Sequence, residues 1–108
     1  MEENQFVFYA TFKPKEGKDK ELLEITKESG QFLKNQDGLI GYLLLEPQNV
    51  GEPLVFISNW KTKEHFDRAM SSEEGKKNHR GESMKNAQAV MEEAVAKNYI
   101  LSEMYHSN

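Results

Sequence analysis

The chain has no cysteine at all, and that single absence removes disulfides, thiolate metal sites, iron–sulfur clusters and cysteine nucleophiles from consideration. It fits a reducing cytoplasm, the expected location. Long apolar runs are also missing, since no stretch approaches the roughly 18 to 20 residues of a membrane span. The opening Met1-Glu2-Glu3-Asn4-Gln5 lacks the basic and then apolar layout of a signal peptide. A basic excess is missing too. With 14 basic against 18 acidic residues, a formal charge of -4 and a pI near 5.4, the surface is mildly acidic and well mixed. Such a surface has little general affinity for phosphate backbones or anionic lipids, so nucleic acid and membrane are not expected partners. Nor is there a P-loop, a glycine-rich dinucleotide turn, an HExxH pair or a nucleophile elbow.

What is present is enough for one domain. The 108 residues lie near the usual domain size and can bury a modest core without staples, so residues 1–108 read as a single unit. Two segments are apolar on both faces: Leu39-Ile40-Gly41-Tyr42-Leu43-Leu44-Leu45 and Pro53-Leu54-Val55-Phe56-Ile57-Ser58-Asn59-Trp60. A half-exposed antiparallel strand alternates apolar with polar residues, so a near-continuous run means that both faces of the sheet are covered. The chain holds helix enough for one face only. A second copy is expected on the other, giving a homodimer, with any pocket near that packing layer.

Along the chain, Phe6–Phe12 is rich in β-branched and aromatic residues and stops at Lys13-Pro14, which predicts the first strand. From Lys20, Leu22, Leu23, Ile25, Phe32 and Leu33 recur with helical spacing until Asp37-Gly38. Residues 39–45 and 53–60 form the next two strands, joined by a Pro- and Gly-containing hairpin loop. Thr62 reads as an N-cap for a short helix bearing Phe66, Ala69 and Met70 on one face. Ser71 with Glu74 fits a capping box that starts another helical piece through Asn78-His79, with an interruption at Gly81. Ala87, Val90, Met91, Ala94 and Val95 then fall on one face of a helix predicted to end at Lys97-Asn98, with Tyr99–Tyr105 as the last strand before a polar tail. The order strand, helix, strand, strand, helix, strand is an α+β, ferredoxin-like split βαβ arrangement, with helices on one face of an antiparallel sheet.

Three histidines and one tryptophan are the remaining candidates for chemistry. His106 lies in the tail and reads as solvated, and His65 sits in the first turn of a helix, where capping or packing accounts for it. His79 closes a short helix beside a glycine, a place from which a side chain reaches over a cavity mouth. Trp60, at the end of a strand, reads as a core anchor.

The segments Phe8-Tyr9-Ala10-Thr11-Phe12-Lys13-Pro14-Lys15-Glu16-Gly17-Lys18, Asp37-Gly38-Leu39-Ile40-Gly41-Tyr42 and Ser58-Asn59-Trp60-Lys61-Thr62-Lys63-Glu64-His65-Phe66, in that order and spacing, resemble the antibiotic biosynthesis monooxygenase domain over nearly the whole chain. The resemblance implies a dimeric α/β barrel and, in many members, oxygenation without metal or flavin, with haem bound in others. Trp60-Lys61-Thr62-Lys63 followed at matching spacing by His79 is similar to the haem-degrading members, and implies His79 as the axial ligand to haem iron. Two positions depart from that pattern. An active-site Asn of those enzymes falls on Ala10, and their second pocket-lining Trp falls on Ala69. The expected pocket residues are thus Trp60, Phe66, Ala10 and Ala69, taking a small aromatic or haem-like ligand. The expectations are a monooxygenase acting on haem, a cofactor-independent oxygenase of a small phenol or quinol using His65, His79 or Tyr42 as polar groups, or a non-catalytic binding or stress-response dimer.

Overall fold

The alternation along the first strand dictates its two faces: Phe6, Phe8, Ala10 and Phe12 point one way, Val7, Tyr9 and Thr11 the other. In the computed structural model, which describes residues 5–80 and 82–107 with side chains at all of these except 78–80 and 82–84, this strand, β1 (Phe6–Pro14), is central to the sheet. The other strands are β2 (Leu39–Leu45), β3 (Leu54–Trp60) and β4 (Met91–Ile100), and the order across the sheet is β2-β3-β1-β4, antiparallel throughout. Helices α1 (Asp19–Gly30), α2 (Lys63–Ser71), α3 (Glu73–Arg80) and α4 (Glu82–Val90) complete the ferredoxin-like α+β fold, with a 3₁₀ turn at Gln31–Asn35 extending α1.

Register carries the inward face from strand to strand. Ala10 pairs with Phe56 and with Ala96, and Phe6 with Trp60. On β3 the inward residues Leu54, Phe56, Ser58 and Trp60 are all buried. They pack beneath the helices in two clusters, one of Phe6, Leu33, Phe56, Trp60 and Ala69, the other of Leu22, Leu54 and Val90. Phe66 of α2 is the hub of the first, stacked on Phe8 at 4.9 Å and edge-on to Trp60 at 5.6 Å.

Two expectations are corrected. The last helix ends at Val90, not at Lys97, and the last strand occupies Met91–Ile100 instead of Tyr99–Tyr105. Ala94 and Val95 satisfy a helical spacing, but without β4 the long β1 would be a bare sheet edge. Pairing runs from Phe6 with Ile100 to Pro14 with Met91, and supplies ladder partners along its whole length. The register shifts at Lys13 and Pro14, where proline has no N–H to give. The Lys15 N–H donates to the Val90 carbonyl at 2.9 Å, at the point where helix becomes strand. The second correction is the cap of α3. Ser72, not Ser71, accepts from the backbone N–H three residues on, at Gly75 (3.0 Å), because Ser71 is still the last residue of α2. Gly81 lies outside the described residues.

The face of the sheet opposite the helices carries Leu43, Leu45, Val55, Ile57, Val95 and Tyr99. Leu43 is 58% exposed and Tyr99 50%.

Candidate functional site

Period-two alternation on β1 and β3 and helical spacing on α1 bring their apolar residues around one space. It is a cavity of about 130 Å³ between the sheet and helices α1, α2 and α4. Phe8 and Phe12 come from β1, Phe56, Ser58 and Trp60 from β3, Leu22, Ile25, Thr26 and Ser29 from α1, and Phe66 and Met70 from α2. Phe32 and Leu33 of the 3₁₀ turn, Ala87 of α4 and Met91 of β4 close it. Among the described residues none of the lining side chains is ionisable, and the wall they form is almost wholly aromatic and aliphatic. A larger space of about 520 Å³ beside Lys20, Glu21, Glu24 and Asn86 is an open groove between α1 and α4, with nothing to exclude water from a reacting molecule.

Four polar groups touch the cavity. The Thr26 hydroxyl donates to the Leu22 carbonyl at 2.8 Å, so its hydrogen is committed to its own helix. The Trp60 indole N–H donates to Ser58 Oγ at 2.9 Å, and both residues are buried. Ser29 sits half-buried on the last turn of α1. A wall of this kind holds a flat apolar ring by contact and orients it with very few hydrogen bonds.

Of the residues singled out from the sequence, Trp60 and Phe66 line the cavity. Ala10 and Ala69 are buried, 2% and 4% exposed, in the packing behind it, and are not among its lining residues. His65 lies at the start of α2, its Nδ1 sharing a hydrogen bond with the Thr62 hydroxyl at 2.7 Å and its Nε2 3.7 Å from Asp37. Tyr42 faces a separate pocket of about 180 Å³ with Leu23, Lys27 and Glu46. His106 is exposed. The backbone of His79 belongs to α3, and its side chain lies outside the described residues. Sequence reasoning assigned no role to Ser58. Its signal was present, a hydroxyl at an inward position of a strand whose other inward residues are Leu54, Phe56 and Trp60.

No group of histidine, aspartate and glutamate side chains that could hold a metal ion occurs among the described residues. No helix among them is long and apolar enough to cross a membrane.

Solved structures share this architecture. SnoaB from Streptomyces nogalater, a cofactor-independent oxygenase, superposes in a point-mutant form with a TM-score of 0.78 at 16% identity, over 94% of this chain and 96% of that one. A protein from Shewanella oneidensis gives 0.76 at 18% identity over 91% of each chain. One from Pseudomonas aeruginosa gives 0.74 at 14% identity, over 93% of this chain and 96% of that one. No curated protein matches the sequence. At these identities the likeness speaks for the fold, whereas the sequence model of one family, antibiotic biosynthesis monooxygenase, matches residues 5–81, most of the chain and every element from β1 to α3. The chain belongs to the antibiotic biosynthesis monooxygenase family.

Proposed function

We propose that the protein is a monooxygenase of a single-ring phenol or hydroquinone, held in the cavity between α1 and β3 and oxidised without metal or flavin. The observation that carries this reading is the cavity's size and wall. Its volume of about 130 Å³ is close to that of dry apolar cavities of roughly 150 Å³ that take a benzene ring. Pockets for drug-sized ligands run to roughly 300–1,000 Å³. The cofactor-independent activity of SnoaB supports the same chemistry.

For a phenol the reaction balances without a co-reductant. The ring gives up four electrons, one atom of dioxygen becomes the second carbonyl of a quinone, and the other leaves as water. The chain's part is to hold the ring among Phe8, Phe56 and Phe66 and to keep bulk water from the reduced oxygen species.

Haem is the second reading, motivated by the spacing from Trp60 to His79 and by the helical position of His79 on α3. A tetrapyrrole does not fit the cavity, whose volume suits one ring rather than four, and no lining residue among the described ones is a nitrogen ligand. No step is therefore routed through haem. The apolar open sheet face supports a homodimer, in which a second copy covers Leu43, Leu45 and Tyr99.

An oxygen electrode tests the activity. Chelator-treated protein with a panel of single-ring phenols and hydroquinones is expected to consume oxygen in step with quinone formation. Binding without oxygen uptake would leave a non-catalytic binding protein, and a Soret shift on adding haemin, lost in His79→Ala, would put haem in the ring's place.

A further inference from the structure

Within the cavity just assigned to a ring, one hydroxyl is left with a hydrogen to give. Ser58 is 1% exposed on β3, a strand paired on both sides, and lines the cavity. Its oxygen already accepts from the Trp60 indole at 2.9 Å. Its own hydrogen has no acceptor among the described residues. Thr26 differs, because its hydrogen is held by the Leu22 carbonyl, and Ser29 differs because it is open to water.

We propose that Ser58 is the residue that orients the ligand, donating its hydroxyl hydrogen to an oxygen carried by the ring, with Trp60 fixing the hydroxyl from behind. This rests on the cavity being the ligand site and adds what it selects: a single ring bearing an oxygen acceptor on the end that faces β3.

Two physical points carry the assignment. Burying a hydroxyl whose hydrogen is unused is unfavourable, and although the Trp60 N–H accounts for the Ser58 oxygen, nothing among the described residues accounts for its hydrogen. The hydroxyl is thus matched to something that enters the cavity. The indole bond also strengthens it as a donor, since accepting a hydrogen bond polarises the O–H in a chain, by about 10–30% per bond in condensed-phase estimates. The resulting donor is best used on an oxygen that gains negative charge, as a phenol oxygen does when the ring loses its proton.

Phenol and toluene test this cleanly, because they have the same number of heavy atoms and differ by a hydroxyl in place of a methyl group. Dissociation constants for both, measured by calorimetry, give a phenol-to-toluene preference for each variant. In Ser58→Ala that preference is expected to fall about three- to tenfold, the range for one hydrogen bond, with toluene affinity held or improved. Ser58→Thr keeps a hydroxyl and should keep the preference. Should Ser58→Ala fail to fold, Ser58→Cys, a weak donor of similar shape, takes its place with the same expected fall. An unchanged preference in Ser58→Ala or Ser58→Cys, with both ligands still bound, overturns the role of Ser58 and leaves the cavity standing. If wild-type protein binds neither ligand, the cavity assignment itself fails and takes the Ser58 role with it.

Discussion

Gly38 lies at φ +88°, in the region that L-residues rarely adopt, and a Cβ built there overlaps the His65 ring. The same glycine's carbonyl accepts from Lys61 N at 2.8 Å, so the turn before β2 is clamped to the end of β3. His65 completes the clamp from the other side. Thr62 Oγ1 accepts from the His65 backbone N–H at 3.2 Å while its hydroxyl meets Nδ1 at 2.7 Å, which fixes the ring over the glycine. Gly38→Ala is therefore expected to destabilise the fold by about 2 kcal/mol or more, read by urea denaturation. Gly38→Ala combined with His65→Ala removes the overlap but keeps the backbone cost, roughly 1–2 kcal/mol for a left-handed residue, so the pair should be less than additive. An additive result would mean that ring and glycine do not touch. At this scale, the sequence showed Asp37-Gly38 as a stop and Thr62 as a cap, because both act through local backbone chemistry. It could not show that His65 answers to Gly38, a contact across the sheet's end. Ser58 was hidden for a related reason: its worth depends on the indole two residues on and on the empty volume beside it.

The helices show where local signals decide and where they lose. Ser71-Ser72-Glu73-Glu74 offers two adjacent serines as caps, and the sequence alone favours the first through its spacing to Glu74. In the structure Ser72 takes the role, accepting from Gly75 N at 3.0 Å and donating to the Ala69 carbonyl at 2.7 Å, so one hydroxyl both closes α2 and opens α3. Gly75 makes this junction close, because a Cβ there would meet the Met70 carbonyl oxygen at 2.8 Å. Ser72→Ala should cost about 1 kcal/mol in thermal or denaturant unfolding, and Ser71→Ala within about 0.5. Equal costs would return the cap to Ser71. The β4 boundary failed for a stronger reason. Ala87, Val90 and Met91 do bury their helical face, with Ala87 and Met91 on the cavity. Beyond them, the apolar spacing that continues through Val95 is outweighed by the backbone bonds that β1 offers, since tertiary pairing overrides a weak local preference.

For the whole molecule, the two faces of one sheet separate two properties. The helix-side face holds the cavity within a single chain. The opposite face presents Leu43 at 58% exposure, Leu45 at 46%, Tyr99 at 50% and Val95 at 37%, with Tyr9 and Tyr99 meeting edge to face 6.1 Å apart. Exposed apolar side chains gathered on one sheet face, here broken by Lys97 between Val95 and Tyr99, are uncommon on a monomer, and a standard interface removes about 800 Å² from each partner, a demand that a four-stranded face can meet. Leu43→Lys places a charge where a second copy is expected to sit, on a residue already exposed in the single chain, so the fold should survive it. Sedimentation velocity at micromolar concentration is expected to give a dimer for wild type and a monomer for Leu43→Lys. Two results would each change the picture differently. A wild-type monomer would remove the second copy but leave the ring-sized cavity intact, since no outer-face residue lines it. A Leu43→Lys monomer that no longer binds toluene would instead mean that the partner, pressing on β2 and β3 from outside, holds Phe56, Ser58 and Trp60 in the register that keeps the cavity open.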